Sequence, residues 1–542
     1  MAATPNAPAQ ATDAVSIGQA TRDKAPSDPT TDTEQPDSLQ EEKDKSLPPD
    51  GGYGWVCVVC NGFINAHTWG LNSTYGVFLG HYLSSNAFPG TSPLAFAFIG
   101  GLSISQALLV APLATYLISR TSIRVCLNVG IFFETLSLLG ASFSTELWQL
   151  CLSQGVCFGW GMGFLFTASV GILPQWFLKH RSIANSLSAS GSGLGAMIYS
   201  LAAGRAIQTI GLPWTFRMLA ICVFSVNIVA ANLLRDRNKE TGARHRAFDV
   251  GILRRPEFLL VLGWGYFSML GYVVVVFSIP AYATQIGLTS QQGYILNAIV
   301  NLGQAIGRPV IGLTSDRFGR INLACLYSLL AGVAIFCFWI PTEVAPDSYA
   351  LLIVYAIIGG GLAGTFWTTI APVSAEVVGL KDLPGALSLT WVMLVPPTTV
   401  SQPIALQLRS LGQQSFVYLR PQLFTGFMYV GGAACLLVLR GWKIGQVEEV
   451  ERRLREEVKR KQRSVLVKAE AHQRERRRMD DSGARKETED GADAIWEAAA
   501  GEEGPIKVTA AVIERVGTQD EVRKASWEWR DLLRRMLKTQ KV

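Results

Sequence analysis

Charged side chains are scarce over most of this 542-residue chain. Asp, Glu, Lys and Arg make up 17% of the residues, whereas soluble domains average roughly 25%. Between Tyr53 and about Gly441 they nearly vanish from long apolar runs, and 49% of the whole chain is hydrophobic. Water cannot keep such a middle region dissolved, so the composition excludes a soluble globular protein and indicates a membrane-embedded one.

Histidine is rare as well, with five in the chain, and the apolar runs hold no His-rich metal set, nucleophile elbow or carboxylate pair. Cys57 and Cys60 have the spacing of a redox or zinc pair, but no second pair or His cluster accompanies them. Cysteines in apolar segments normally pack as small hydrophobic side chains. We therefore predict no catalytic residue, no metal site and no cofactor, and an integral-membrane enzyme is the least favoured class.

Twelve apolar stretches are each long enough to cross a bilayer, which takes about 20 residues of helix. Helices are expected because, apart from closed barrels, only they satisfy every backbone polar group in lipid. The sequence therefore predicts an all-α integral membrane protein. The spans are expected near residues 53–83, 93–118, 124–143, 147–172, 182–204, 213–234, 257–285, 290–314, 321–341, 347–374, 384–408 and 421–441.

Lys and Arg are concentrated in alternate loops between these spans, and this asymmetry predicts the orientation. The loops on the opposite side hold only Arg205, Arg217, Arg409 and Arg420. Residues 1–49 contain no apolar core typical of a cleavable signal. Both termini are thus predicted to be cytoplasmic in a multi-pass protein, and the plasma membrane is the expected location.

Polar segments at both ends and in the middle divide the chain into five predicted parts. These are a disordered cytoplasmic N-terminal tail (1–49), an N-terminal six-helix bundle (50–234), a basic cytoplasmic linker (235–256), a C-terminal six-helix bundle (257–441) and a charged cytoplasmic tail with amphipathic helices (442–542). In the last part, an apolar stripe from Trp529 to Leu537 lies opposite basic residues. This pattern indicates a helix on the membrane surface or on a protein partner.

The two six-helix parts echo each other, which indicates a duplicated unit. Residues 307–320 read GRPVIGLTSDRFGR, and residues 112–120 carry a weaker copy, PLATYLISR. Glycines at 159, 161 and 163 in the fourth span recur at 359–361 in the tenth. Duplicated bundles suit the movement of a solute across the membrane better than chemistry on it.

Two further stretches resemble the signatures of a known family. Residues 48–55 read PPDGGYGW, and residues 175–184 read QWFLKHRSIA, followed by SGSG at 190–193. They are similar to the two signatures of the monocarboxylate transporters, a branch of the major facilitator superfamily. The stretches that resemble its fungal branch are 301–308, 375–384 and 402–405. The resemblance implies a twelve-helix secondary transporter with two six-helix bundles, a central cavity and alternating access.

Charged residues at the end of the eighth span predict a gate. Asp316 at a helix end can pair with cations or a helix terminus of the other bundle in one state only, which would bias the side that is open. The first half has Ser119 at the matching position and should contribute less. The expected gating residues are Asp316, Arg317, Arg320 and Glu376. A solvated, positive-inside loop is the alternative interpretation.

Arg308 is the main candidate for contact with the substrate. A guanidinium inside an apolar helix is costly unless it meets an anion, a carbonyl or water in a cavity. An anionic substrate and a structural hydrogen-bonding role both remain open. Polar and aromatic residues could line the cavity with it, although helix packing also uses such residues. The candidate substrate-binding residues are Arg308, Asn301, Gln304, Asn297, Trp391 and Phe366.

This sequence differs from the animal monocarboxylate transporters at the residues that bear on proton coupling. Counting from the shared signatures, the animal carriers' first-helix Lys falls near Ser73, and their two eighth-helix Asp residues fall at Asn297 and Gln304. Only the Arg is retained, as Arg308. Proton–lactate symport is therefore not implied. Glu134, inside the third span, is the candidate for coupling.

These features together predict a secondary active transporter that carries a small organic solute, of an organic-anion or monocarboxylate type, by alternating access. A proton could accompany the solute. Membrane lipid is the other expected partner, nucleic acid is not expected, and the sequence does not indicate an oligomeric state. Two alternatives stay open: an efflux pump for a secondary metabolite and, from a different class, a transporter-like nutrient receptor.

Overall fold

The structure is a computed structural model that describes residues 48–85, 93–243, 250–344, 349–410, 416–481 and 529–538. Over these residues the chain forms helices and no strand, so the predicted all-α architecture is confirmed. The described ranges hold twelve long helices, a short terminal one and two four-residue helices in the linker, Asn238–Thr241 and Val250–Leu253. Brief turns interrupt α1, α2, α4, α10 and α11. The bounds are 54–85 (α1), 93–120 (α2), Ile123–Ala141 (α3), Leu147–Trp176 (α4), Arg181–Ile210 (α5), Leu212–Leu233 (α6), Pro256–Gln285 (α7), Ser290–Phe318 (α8), Arg320–Glu343 (α9), Tyr349–Val378 (α10), Leu383–Gln407 (α11), Leu419–Asp481 (α12) and Trp529–Met536 (α13).

Most of these helices have the length and composition of membrane spans. Within the described ranges, nine are long and apolar enough to cross a bilayer. Large hydrophobic side chains such as Phe132, Ile221 and Leu326 are exposed on their outer faces, as expected of surfaces in contact with lipid. The other three long helices, α1, α5 and α8, have more polar and small residues. All three contribute to the interface between the N-terminal half (α1–α6) and the C-terminal half (α7–α12), which we call the seam.

Glycines bring corresponding helices of the two halves close together. In the N-terminal half, a methyl group on Gly163 of α4 would overlap Ala107 of α2. In the C-terminal half, a methyl group on Gly360 of α10 would lie 2.5 Å from the Val300 carbonyl oxygen of α8. Small residues allow helix backbones to approach in this way within a membrane. The glycines at these repeated positions therefore pack equivalent helix pairs.

The two halves meet along α5 and α8. Gly193 of α5 lies against Ala305 of α8, and Gly312 of α8 lies against Ser186 of α5; a methyl group on either glycine would overlap its neighbour. An apolar cluster also joins α2 and α4 to α7, α10 and α11. The seam is closed along this stretch.

A tight turn at Gly319 joins α8 to α9. Its φ of 102° lies in a region that glycine adopts without strain. In the first half, Ser122 occupies the corresponding place between α2 and α3 with an extended backbone, and its hydroxyl accepts a hydrogen bond from the Val125 N–H at 3.3 Å. The corresponding turns of the two halves are thus formed differently, with a glycine at positive φ in one and a capping serine in the other.

The last membrane helix continues far beyond the predicted end of its span. The span was expected to end near residue 441, but α12 continues as one helix to Asp481. Gly441 does not interrupt it, and a methyl group at this position would meet Leu532 and Met536 of α13. The predicted N-terminal tail up to residue 47, and the C-terminal residues 482–528, lie outside the described residues.

The terminal helix α13 packs on α12. Leu532 is 1% exposed and joins the apolar cluster of the C-terminal half. Glu448 of α12 accepts hydrogen bonds from Arg535 at 2.8 Å and from Lys538 at 2.6 Å. Arg440 donates to backbone carbonyl groups at the end of α13, including that of Met536. In this structure Leu532 and Met536 of the apolar stripe therefore rest on the chain itself, whereas Leu537 is 85% exposed.

Candidate gate and substrate pathway

Asp316 binds the N-terminus of a helix in the opposite half. Its carboxylate oxygens accept hydrogen bonds from the backbone N–H groups of Ser182 at 2.9 Å and Ile183 at 2.8 Å. These N–H groups belong to the first turn of α5, where they have no partner within the helix. A carboxylate at this position also meets the positive end of the helix dipole. Asp316 thus ties α8 to α5 across the seam.

Arg320 extends this contact to two further segments. Its guanidinium donates to Glu376 Oε1 of α10 at 2.6 Å, to Asp316 Oδ1 at 3.4 Å and to the Leu178 carbonyl of the N-terminal half. The three charged side chains are mostly buried. Lys443 of α12 donates to the Glu376 carbonyl at 2.9 Å. We call Asp316, Arg320 and Glu376 the gate cluster, and the end of the bundle where it lies the gate end.

Arg317 is the one predicted gating residue that lies apart from the gate cluster. Its side chain is exposed, and its guanidinium lies over the ring of the adjacent Phe318 at 5.5 Å. It makes no contact with the gate cluster in the described part of the chain. On a helix, consecutive residues point in different directions, so only Asp316 of this pair can face α5.

The two signature-like stretches lie against each other at the gate end. The Asp50 carboxylate accepts hydrogen bonds from the backbone N–H groups of Leu178, Lys179 and His180 at 2.9, 2.8 and 3.2 Å. Burial opposes ionisation of Asp50, but these bonds and the nearby His180 outweigh it, so its pKa is lowered. Asp50 itself has a φ of 57°, which Asp tolerates better than most residues. The loop before α5 is therefore held by the residues before α1.

The linker between the halves packs on the same stretches. Trp176 Nε1 donates to the Arg235 carbonyl at 2.9 Å, and Gln175 Nε2 donates to Asn238 Oδ1 at 2.8 Å. The Arg235 guanidinium lies 4.2 Å from the centre of the Tyr53 ring. The start of the linker is thus anchored to the N-terminal half.

Arg308 is buried at the seam and bonded to α5. One guanidinium nitrogen donates to the Ala189 carbonyl at 2.7 Å and to the Ser192 hydroxyl, and the other donates to Gln304 Oε1 at 2.7 Å. Arg308 is 5% exposed, and its Nε has no partner among the described residues. Tyr272 of α7 also donates to Gln304 Oε1, at 3.1 Å. In this conformation the cation is held by groups of the protein.

Asn297 and Asn301 lie further along the same face of α8. Asn301 Nδ2 donates to the Asn297 carbonyl one turn earlier, at 3.0 Å. Both side chains are half-buried. The spacing of 297, 301, 304 and 308 follows the helical repeat, so these residues form one polar stripe. Of this stripe, Gln304 and Arg308 are bonded to each other.

Trp391 and Phe366 belong to an aromatic group about midway along their helices. The Trp391 ring lies 5.0 Å from Phe166 of α4 and 5.9 Å from Trp367 of α10. Trp69 of α1 lies 4.8 Å from Trp367. Phe366 touches both Trp367 and Trp391 at the edge of the group. The contacts of Trp69 and Phe166 cross the seam.

Three residues of this region were not predicted. Trp69, Phe166 and Tyr272 are aromatic residues in spans that contain many others, and nothing in the sequence distinguishes them. Trp69 lies in a π-helical turn, Ala66–Gly70, a distortion often found at functional sites. The Tyr272 ring lies 6.2 Å from Trp367, so it connects the polar stripe of α8 with the aromatic group.

Glu134 lies inside the N-terminal half. It is 0% exposed, and one carboxylate oxygen accepts a hydrogen bond from Asn227 of α6 at 2.9 Å. The other oxygen has no partner among the described residues. Gly161 of α4 packs against its backbone. The contacts of Glu134 are thus with α4 and α6.

A groove with a volume of about 630 Å³ lies between α8, α9 and α10. It is lined almost entirely by apolar side chains such as Ile306, Leu330 and Ile357, and these are exposed on the outer surface. Arg308 and the aromatic group do not line it. A polar solute would find few partners there, so the groove is a lipid-facing feature and not the substrate site.

Comparison with known proteins adds family relationships to this geometry. The family model of the Major Facilitator Superfamily matches residues 55–394 and 266–438. The chain is 35% identical to the probable transporter MCH2 of Saccharomyces cerevisiae, over 74% of this chain and 85% of the relative. It is 25% identical to the fujikurins efflux protein of Gibberella fujikuroi, over 80% of this chain and 92% of the relative.

Solved structures show the same architecture. FucP of E. coli, a major facilitator superfamily transporter solved in an outward conformation, superposes with a TM-score of 0.55. The match covers 71% of this chain and 98% of FucP at 13% sequence identity. At this identity the likeness concerns the fold alone. It confirms the predicted arrangement of two six-helix bundles.

Proposed function

Because the chain belongs to the major facilitator superfamily of membrane transporters, we propose that it carries a small organic anion by alternating access. The two halves rock about the seam and expose a central site to each side in turn. Both termini face the cytoplasm of the cell, at the plasma membrane, and the gate end is the cytoplasmic end. The structure then corresponds to a state closed towards the cytoplasm.

The gate cluster is the observation that carries this proposal. Asp316 and Arg320 of the C-terminal half bind backbone groups of residues 178–183 in the N-terminal half. These contacts can exist only while the halves are together at this end. When the halves separate, water can solvate the same charges and N–H groups, so the closed and open states need not differ greatly in free energy. Such near balance is what alternation requires.

Arg308 connects the gate to the substrate. Its partners Ala189 and Ser192 lie on α5, in the other half. When α5 moves away from α8, the guanidinium loses these partners and must find another acceptor. An anion in the opened seam satisfies this need, since guanidinium groups bind carboxylates well. Arg308 thus exchanges protein carbonyl groups for substrate during the cycle.

The proposal is tested by exchange of ¹⁴C-labelled pyruvate, benzoate and cinnamate in proteoliposomes with the full-length protein. Arg308→Ala should abolish the exchange of every acid that the wild type carries, and Arg308→Lys should restore only part of it. Arg317→Ala is the matched control, because it removes a cation from the same helix outside the gate cluster. Exchange that is unchanged in Arg308→Ala would exclude the substrate role of this residue.

Efflux of a secondary metabolite is the second candidate function. It is favoured by the similarity to a relative named as the fujikurins efflux protein. The direction of net transport depends on the gradient to which the transport cycle is coupled, and the fold does not determine it. Accumulation and export of the same labelled acids by intact cells, with and without a pH gradient, separate the two. Net export against a concentration gradient supports efflux.

A nutrient receptor built on a transporter fold is the candidate of another class. In that case the charged tail, residues 442–542, is the signalling element. A chain truncated after Asp481 that still exchanges labelled acids at the full rate favours the carrier. Loss of a cellular response with transport intact favours the receptor.

A further inference from the structure

The aromatic group midway along the seam is built from both halves of the protein. Trp69 of α1 and Phe166 of α4 touch Trp367 of α10 and Trp391 of α11, at centroid distances of 4.8 and 5.0 Å. Within the C-terminal half, the Trp367 and Trp391 rings are nearly parallel, with planes 14° apart. Because these contacts cross the seam, a solute in the central site must part the rings and then lie against their faces.

Three buried N–H donors in this region have no acceptor. They are Nε1 of Trp69, Nε1 of Trp391 and Nε of Arg308, none of which has a hydrogen-bond partner among the described residues. Trp391 is 0% exposed and Arg308 is 5% exposed. Buried indole N–H groups usually find a partner, because an unpaired buried donor is unfavourable. These three donors close to one seam are therefore free to bond with acceptor atoms of a ligand.

Trp367 and its neighbour Trp391 are linked to the guanidinium of Arg308 through Tyr272. Its ring lies 6.2 Å from Trp367, and its hydroxyl donates to Gln304 Oε1, which also accepts from Arg308. The aromatic rings and the guanidinium are thus joined by a series of direct contacts through Tyr272 and Gln304. A ligand that binds both needs an acidic group at one end and a flat body at the other.

The carboxylates of the described helices lie elsewhere. Glu134 is bonded to Asn227, Glu376 and Asp316 belong to the gate cluster, and Glu257 lies in the first turn of α7. Aromatic cages can also bind organic cations. Here the nearby permanent charge is the positive Arg308, and the unpaired nitrogen atoms of Trp69, Trp391 and Arg308 are donors. This combination disfavours a cation and favours a ligand rich in acceptor atoms.

We infer that the central site takes a planar, conjugated organic acid, with its carboxylate at Arg308 and its ring system between the faces of Trp69, Trp367 and Trp391. Carbonyl or phenolic oxygen atoms of the ring system accept the indole N–H bonds. This inference rests on the proposed function, because it places the substrate at Arg308. It narrows the substrate class, since a short aliphatic acid such as lactate would leave the aromatic faces and both indole donors without a partner.

The test is equilibrium binding of ³H-labelled naphthalene-2-carboxylate to the full-length protein in lipid nanodiscs. Competition by the saturated analogue, decahydronaphthalene-2-carboxylate, measures the contribution of the planar ring, because size and charge stay the same. We expect the aromatic acid to bind at least about tenfold more tightly, as one or two stacking contacts would give. Competition by 6-hydroxynaphthalene-2-carboxylate should be stronger still, since its oxygen can accept from an indole.

Substitutions of Trp391 separate the contribution of its ring face to binding from that of its N–H group. Trp391→Phe keeps a ring and removes the N–H, so it should abolish the advantage of the hydroxyl compound while the preference for the planar acid remains. Trp391→Leu should reduce that preference as well. Trp148→Phe is the control, since Trp148 is 65% exposed at the start of α4.

The outcomes distinguish this inference from the proposed function. Equal binding of planar and saturated acids, with both lost in Arg308→Ala, would overturn the inference and leave the anion carrier intact. The same holds if pyruvate is exchanged in an Arg308-dependent manner while naphthalene-2-carboxylate shows no saturable binding. Tight binding of the planar acid that is unchanged in Arg308→Ala would contradict the proposed function and the placement of the carboxylate.

Discussion

The turns between α2 and α3 and between α8 and α9 occupy matching places in the two halves but differ in charge and contacts. In the second half, Asp316 binds the N-terminus of α5. In the first half, the Ser119 hydroxyl donates to the Tyr116 carbonyl of its own helix at 2.6 Å and to no other group among the described residues. The helix that corresponds to α5 is α11, and Asp382 before it pairs with Arg255, the linker residue that precedes α7, at 3.3 Å.

The comparison shows that a duplicated scaffold does not require a charged contact across the seam in each of its halves. Close helix packing recurs in both halves, because glycines stand at corresponding positions of α4 and α10. The charged contact across the seam is made at one of the two turns. A single contact of this kind suffices to bias a two-state equilibrium, because a few kcal/mol of stabilisation of one state relative to the other is enough. The following predictions probe this asymmetry.

Asp316→Asn should have the largest effect, because it removes a charge that caps α5 and pairs with Arg320. Loss of a charge-assisted contact costs about 2–3 kcal/mol. The ratio of closed to open molecules should therefore fall by roughly 30- to 150-fold. The measurement is the alkylation rate of Ser186→Cys by an impermeant maleimide from the gate end, in a chain whose exposed Cys222 and Cys337 are replaced by Ser.

Ser119→Ala is the matched change in the first half, and it should leave the alkylation rate unchanged. An equal increase in both variants would mean that the two turns share the gating task. No increase in Asp316→Asn would mean that this carboxylate does not hold the halves together.

Glu134→Gln tests whether the N-terminal half carries the proton. The amide can still accept a hydrogen bond from Asn227, so the packing of α3 and α6 should be preserved. If Glu134 couples transport to protons, an inward gradient of one pH unit, which can sustain about tenfold accumulation, should no longer drive uptake. Exchange without a gradient should continue. Glu146→Gln, at an exposed position before α4, is the control, and gradient-driven uptake that survives in Glu134→Gln would exclude this role.

Asp50→Asn should produce a smaller, pH-dependent loss of stability. The pKa of Asp50 is lowered in the folded chain, so its stabilisation is complete above the unfolded pKa of roughly 4 and disappears as the pH falls through the folded value. Asn tolerates the positive φ but cannot ionise. The wild type should therefore melt at a higher temperature near pH 7, and the difference should vanish at low pH. Asp236→Asn, in the exposed linker, is the control; a difference that persists in acid would contradict the assignment.

Gly441→Val should have the smallest effect on transport. The added side chain would collide with Leu532 and Met536, so it should release α13 from α12. Limited trypsin digestion should then cut near Arg534 faster than in the wild type. Unchanged digestion would show that α13 is held mainly by the ion pairs of Glu448.

Much of the fold follows from the sequence, because apolar length and charge asymmetry act on each span independently of its neighbours. The candidate gate residues Asp316 and Arg320 could also be picked out from the sequence, since a carboxylate and a cation four residues apart stand at the end of an apolar helix. Arg317 was predicted with them but lies apart from the gate cluster. The sequence alone does not show which face of α8 points towards α5. Arg317 remains a candidate outside the gate cluster.

The centre of the seam was less predictable. Trp391 and Phe366 were candidates, but the pairing of Trp69 with Trp367 depends on how two distant halves dock. The π-helical turn that contains Trp69 has no mark in the sequence. Likewise, the bond from Arg308 to Ala189 joins residues 119 positions apart. Contacts of this kind arise from tertiary packing, which local patterns do not encode.

Asp316 is proposed to hold the two halves together at the gate end in one of two states. This role is tested most directly by double electron–electron resonance between spin labels at the exposed positions Lys179 and Arg317, both changed to Cys, in nanodiscs. We expect two distance populations, with Asp316→Asn shifting most molecules to the longer one. A single distance distribution that is the same with and without the Asp316 carboxylate would contradict it.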